Sequence, residues 1–287
     1  MPNIRVIKRR IRSVQNTAKV TRAMEMIAAS KMRRSQQRLL AGRPYSDTML
    51  QVLGHLAAQI GDAGGDVHPL LRRREVKRVE IIHITPDRGL CGGLNSNLNR
   101  VVGRFILDRH VPVSVIPVGR KGRDFMVRNG REMRAVFVDL GDRPTLMDIL
   151  PISHLALEDY ESGYADEVYV SYGRFFSTVV QRPIMQKLLP VEPAQLESNL
   201  RGGYIYEPSS IQVLGSLLPR FVEMQIYHAI LESIGSEQSA RMVAMRNATD
   251  SANDMIQGLT LLMNKVRQES ITKELLDIVG GAAALGG

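Results

Sequence analysis

Two stretches of heptad spacing, one at each end of the chain, constrain this fold more than anything between them. In the first, Ile4, Ile7, Ile11, Val14, Ala18, Thr21, Ala28, Met32, Ser35 and Leu39 recur mostly at alternating intervals of three and four. That spacing is the seam of a helix packed along another helix. No proline interrupts it before Pro44. A helix continuing to Ile60 would be roughly 80 Å long at 1.5 Å per residue, far beyond an ordinary globular helix. Its middle uses the small residues Ala18, Thr21, Ala28 and Ser35, which permit close approach but bury little. At the other end, Met245, Ala248, Ala252, Met255, Leu259, Leu262 and Val266 predict a second seam. Extended backward, it meets Leu231 and Ile234, and also Arg241 and Gln238. Ser209 or Ser210 offers its cap, Pro219 predicts a kink near its start, and Gly258 costs about 1 kcal/mol within it. The simplest partner for each seam is the other, an antiparallel two-stranded coiled coil.

Between the ends the pattern changes. Gly61–Glu75 carries three glycines, a proline and a basic triplet, and predicts a linker. Beyond it, β-branched runs alternate with amphipathic stretches. Val79–Thr85, Val111–Val118, Arg134–Leu140, Glu167–Phe175 and Val179–Val191 predict five strands. The last is placed at an edge because Pro183 cannot donate to a ladder. Leu94–Arg109 predicts a helix, and the stretch around Leu146–Glu161 a helix broken near Pro151. The expected fold class is therefore α/β: long terminal helices in an antiparallel coiled coil, plus a central Rossmann-like domain with a mostly parallel sheet. The expected boundaries are 1–60 for the first helix, 61–75 for a linker, 76–195 for the α/β domain, 196–208 for a second linker and 209–287 for the last helix.

Charge is as uneven as periodicity. Residues 1–50 hold 12 Lys+Arg against 2 Asp+Glu, whereas residues 51–209 hold 20 against 19 and residues 210–287 hold 6 against 8. The first helix thus supplies nearly all of the net charge of +9. A basic helix suits a nucleic acid, a membrane surface or an acidic protein partner. Aromatic residues are only 5% of the chain and no nucleic-acid motif is present, which weighs against the first. No run of 18 apolar residues exists to span a membrane. One cysteine, Cys91, excludes a disulfide within the chain, and the six histidines show no ligand spacing, so neither metal nor cofactor is expected. The most enzyme-like motif, Asp87-Arg-Gly-Leu-Cys-Gly-Gly-Leu-Asn95, stands where a nucleotide loop would follow the first strand. It lacks both GxGxxG and the Lys-Ser/Thr of a P-loop. A tight turn explains it, with Cys91 either a nucleophile or an inert thiol. The uncharged run Gly280–Gly287 suggests a tip that enters something.

Several of these stretches together resemble the gamma subunits of F-type ATP synthases. They are Ile11–Thr17, Met24–Met32, Asp87–Gly93, Glu237–Met245, Asn247–Asp250, Ile271–Asp277 and Gly281–Ala284. The resemblance implies a non-catalytic rotor shaft that couples proton flow through a membrane ring to ATP synthesis or hydrolysis. Its implied partners are the alpha and beta subunits of the hexamer, the epsilon subunit and the membrane c-ring, with no nucleic acid and no direct membrane insertion. It implies that Arg267 and Gln268 meet a catch loop of beta, with Thr272 and Glu274 on the same upper shaft. Met24, Lys31, Arg33, Arg34 and Cys91 would face the acidic lower lobe of beta, and Arg241 would couple the shaft near its foot. No paired cysteines for redox control and no transit peptide are seen. The implied location is the cytoplasmic face of a bacterial inner membrane, as a peripheral protein. A basic coiled-coil nucleic-acid binder is the alternative.

Overall fold

The computed structural model describes residues 3–62, 68–192, 206–207 and 209–285. Five helices and four strands run in this order: α1 (Ile4–Asp62), β1 (Val79–Ile84), α2 (Leu94–Asp108), β2 (Val113–Val118), α3 (Arg120–Arg128), α4 (Leu146–Glu161), β3 (Glu167–Phe175), β4 (Gln181–Leu189) and α5 (Ser210–Leu285). The chain divides into two compact units, Met1–Ala28 with Met242–Gly287, and Ala29–Arg241.

The first unit is a helix pair. Thr21 and Thr249 share a hydrogen bond of 2.7 Å inside the seam, and Arg246 donates to Glu25 at 2.9 Å on its flank. Position rises along α1 as it falls along α5, so the helices run antiparallel. On α1 up to Ala28 the buried or half-buried positions are Ile4, Ile7, Ile11, Val14, Ala18, Thr21 and Ala28, as the spacing predicts, together with Met24 and Glu25. On α5 the structure corrects the expected seam. Met255 and Leu262 are exposed, and the inward positions are Met245, Thr249, Ala252, Ile256, Leu259, Met263 and Val266. This is an unbroken four–three alternation, and continuing the Thr21–Thr249 register sets Ile4 opposite Val266. Gly258 falls on the exposed side, and a Cβ there would meet open space. It is not needed for close approach.

The second unit is a sheet covered on both faces. The strand order is β2-β1-β3-β4; β1 pairs parallel with β2 and β3, while β4 returns antiparallel beside β3. Alternation along β1 sends Ile82 and Ile84 to one face, where they join Met49, Leu53 and Leu56 of α1, Ile149 and Ile152 of α4, and Leu218, Val222 and Ile226 of α5. Val79 and Ile81 face the other side, against Val102 and Ile106 of α2 and Met126 of α3. Both faces of β1 are therefore dry, which accounts for its near-continuous apolar run. Within this unit α1 and α5 approach closely: Ser35 Oγ donates to the Leu231 carbonyl at 2.8 Å, and Gly42 lies against His228.

Several expectations change. Arg134–Leu140 is not a strand; it touches β2 only through bridges from Met133 to Val115 and from Phe137 to Val118. The left-handed backbone of Asp139 (φ +60) and Gly141 (φ +74) turns the chain away. Helix α3 was not expected. Helix α4 runs through Pro151 unbroken, its capping box formed by Thr145 and Asp148. The carbonyl that Pro151 cannot serve belongs to Met147, which is exposed, so water can satisfy it. Helix α1 runs through Pro44, as its expected extent to Ile60 implied, and α5 contains Pro219 in its third turn. Of the segment expected as the first linker, residues 63–67 lie outside the described residues. From His68 onward it is packed: Leu70 is fully buried and its carbonyl accepts from Val191 N–H at 2.8 Å. Nearly all of the expected second linker also lies outside the described residues.

Candidate partner surfaces

The turn after β1 is built by its own polar groups. Asp87 accepts Arg120 N–H at 2.9 Å through one carboxylate oxygen and Asp139 N–H at 3.1 Å through the other. Gly119 has φ +110, and a Cβ there would stand 1.9 Å from the Thr85 carbonyl oxygen, so no other residue fits. The crevice at the ends of β1 and β2, where an α/β fold would hold a nucleotide, is a cavity of about 50 Å³. Ile230, Ile234 and Glu237 of α5 form part of its lining. Nucleotide-sized sites run to several hundred Å³. The motif Asp87–Asn95 is therefore an assembly of backbone turns, and its carboxylate is already satisfied.

Cys91 is buried with Leu94, Leu98 and Ala240, and Asn95 Nδ2 donates to its sulfur at 3.3 Å. Burial pushes its thiol pKa up. A buried thiol with a raised pKa is the inert thiol of a turn; it is neither a nucleophile nor placed to meet a partner, which corrects those two readings of this residue. Arg241 is mostly enclosed, its side chain 11% exposed. Its Nη2 donates to the Glu237 carboxylate at 2.6 Å and to the Gly89 carbonyl at 3.1 Å. It ties α5 to the turn after β1.

The basic residues of α1 separate by face. Met24 is half-buried in the helix pair. Lys31 forms an ion pair with Asp142 at 2.6 Å, so its charge is answered within the chain. Arg33 and Arg34 are exposed. Lys31, Arg34 and Arg38 form a stripe at i, i+3 and i+7, and with Arg143 they line a groove of about 460 Å³. Sequence reasoning singled out neither Arg38 nor Arg143. The helical spacing would have found Arg38, but nothing in the sequence sets Arg143 beside it.

At the other end of α5, Arg267, Gln268, Thr272 and Glu274 are all exposed. With Ile4 opposite Val266, α1 has no residue left to cover the remainder of α5. Every residue from 271 to 281 is exposed, among them Ile271, Leu275, Leu276, Ile278 and Val279, the last three about two-thirds accessible. An isolated helix gains nothing by showing this much apolar surface to water. Among the described residues no group of His, Cys, Asp and Glu has the arrangement of a metal site, and no helix is long and apolar enough to cross a membrane.

A long antiparallel helix pair with an apolar, unaccompanied end, together with an α/β core whose crevice is closed by its own groups, defines a class of protein that works through contact with larger partners. A family model described as ATP synthase matches residues 3–285. The ATP synthase gamma chain of Dehalococcoides mccartyi is 61% identical over 285 residues, covering 99% of this chain and 100% of the relative. That of Chloroflexus aurantiacus is 50% identical over 288 residues, covering 99% of each. A chain in the central stalk and c-ring structure of the Tetrahymena thermophila mitochondrial ATP synthase is 25% identical, with a TM-score of 0.60, covering 80% of this chain and 99% of that one. A chain from the Euglena gracilis mitochondrial ATP synthase shares the fold, with a TM-score of 0.68 at 19% identity, covering 98% of this chain and 94% of that one. The chain belongs to the ATP synthase gamma chain family, whose members are non-catalytic central-stalk subunits. Nothing supports the nucleic-acid reading of the basic helix.

Proposed function

We propose that this chain is the shaft that turns inside an alpha–beta hexamer, driven by proton flow through a membrane c-ring, with an epsilon subunit and the c-ring at its foot. The observation that carries the reading is the end of α5. Beyond Val266 it is a single helix that exposes Ile271, Leu275, Leu276, Ile278 and Val279 along one broad side. Such a surface is stable only when something encloses it. Arg267 and Gln268 stand where the covered pair becomes the uncovered end, and serve as polar contacts to a beta subunit together with Thr272 and Glu274. Arg33 and Arg34 complement an acidic lobe of beta lower down, while Lys31 is held by Asp142 and supports them only indirectly. Arg241 keeps the shaft helix fixed to the turn after β1, so that torque applied to one reaches the other.

The shaft need bind no nucleotide. An asymmetric shaft contacts each beta subunit differently, and a differential contact is what shifts a conformational equilibrium. Turning the shaft moves that bias from one beta to the next and changes nucleotide affinity in sequence. The assembly lies at the cytoplasmic face of the bacterial inner membrane, this chain attaching through its partners.

The test is truncation before Ile271 in the assembled enzyme. Coupled ATP synthesis is expected to fall severalfold while thermal stability of the isolated chain is unchanged, because residues 271–281 are all exposed. Unchanged synthesis would contradict the role given to the tip.

A further inference from the structure

The groove between α1 and the segment before α4 has a charge balance that the shaft reading uses only through Lys31 and Arg34, leaving Arg38 and Arg143 without a role. Its lining is Lys31, Arg34, Ser35 and Arg38 on one side and Leu140–Arg143 on the other. Four cations face one carboxylate. That carboxylate is fully engaged: Asp142 Oδ2 accepts from Lys31 and Oδ1 from Gln238 Nε2 at 3.1 Å. It therefore repels an incoming anion little. Ser35 Oγ is turned inward to the Leu231 carbonyl. Arg34 reaches back only weakly, to Ser30 at 3.3 and 3.4 Å. Among the described residues, Arg38 and Arg143 have no side-chain hydrogen bond or ion pair. Three guanidinium groups from two separate elements thus line one concave space, and those of Arg38 and Arg143 have their donors unspent. Like charges at i and i+4, as in Arg34 and Arg38, repel along a helix. Among the described residues the one carboxylate of the groove, Asp142, is paired with Lys31 instead.

We propose that this groove binds a compact phosphate anion, inorganic pyrophosphate or the phosphate tail of a nucleotide. Guanidinium forks match phosphate oxygens in pairs. The volume of about 460 Å³ lies within the range of small-molecule sites. Leu140 is the one large apolar residue of the lining, so the groove favours a charged ligand over an apolar one. An acidic peptide needs an extended track of cations, whereas the four cations here lie around one short groove, so the small anion is the better occupant. This assignment stands apart from the shaft reading and is tested on the full-length chain alone.

The experiment is calorimetric titration of the full chain with pyrophosphate, ADP, adenosine and hexaglutamate at low ionic strength. Saturable one-to-one binding of pyrophosphate is expected, weakening as salt is raised. If ADP binds as well and adenosine does not, the nucleotide tail is the source; if pyrophosphate alone binds, the free anion is. The double variant Arg38→Gln with Arg143→Gln is expected to weaken binding by at least about tenfold, as loss of charge-assisted hydrogen bonds requires. Arg104→Gln, an exposed arginine on α2, is expected to leave it unchanged. No saturable binding, equal weakening by Arg104→Gln, or tighter binding of hexaglutamate at the same two arginines would each overturn the proposal.

Discussion

Glu80 lies in the middle of β1 with no solvent exposure, beside Ser114 of β2 and against Asp159 of α4. Arg134 clasps Asp159 through Nε at 2.9 Å and Nη2 at 3.0 Å. Burial first, and the neighbouring Asp159 second, push the Glu80 pKa up to about 8; Arg134 and Ser114 pull the other way. The folded chain therefore holds a proton on Glu80 that the unfolded chain releases near the ordinary carboxylate value. Its contribution to stability is complete below that value and is lost as pH rises to about 8. Thermal unfolding of the full chain between pH 5 and 8.5 should show the melting temperature falling as pH rises, and Glu80→Gln should flatten that slope. Equal slopes would contradict the assignment. Arg241→Ala should cost about 3 kcal/mol in urea unfolding, because Glu237 is left enclosed without its cation. These placements were only partly legible in the sequence. A glutamate inside VEIIHI reads as a strand residue, but what answers it comes from positions 114, 134 and 159, which only the folded sheet brings together. Cys91 misled for the same reason: its turn was legible, but its cover, Ala240, comes from α5.

Helix α1 was readable because its seam positions are apolar or small and recur at helical spacing, although Val6, Val20, Met26 and Ile27 between them are exposed apolar residues. The α5 seam was misplaced by one position at Met255 and Leu262. Leu259, Leu261, Leu262 and Met263 are all apolar, so several registers fit equally well, and only packing against α1 chooses Ile256 and Met263. The choice has a measurable consequence. Val266→Ala removes buried volume and should destabilise the full chain by about 1 kcal/mol. Leu262→Ala, on the exposed side, should change it by less than about 0.5 kcal/mol. Equal effects would return the seam to Leu262. Helix α3 was missed because RKGRDFMVR carries a glycine and few apolar residues. Gly122 is nevertheless required there: a Cβ would stand 2.9 Å from His83 and from Thr85. The run Arg134–Leu140 failed in the opposite sense. Its β-branched residues promise a strand, but the turn at Asp139 and Gly141 leaves only two bridges to β2.

For the molecule as a whole, the sequence carries the design in its ends. The basic excess lies in the first 50 residues, and the last helix outruns its partner by the length of its apolar tip. Both are surfaces for something larger, and membership of the ATP synthase gamma chain family says what kind of assembly that is. The central claim is motion, that this chain turns while the hexamer around it hydrolyses ATP. It is tested by assembling the chain with its alpha and beta subunits, anchoring the hexamer to a surface and attaching a probe to α2 through Arg104→Cys, the native Cys91 being buried. With magnesium and ATP, the account predicts rotation of the probe in one sense, pausing at three positions per turn. A probe that stays still while ATP is hydrolysed would contradict it.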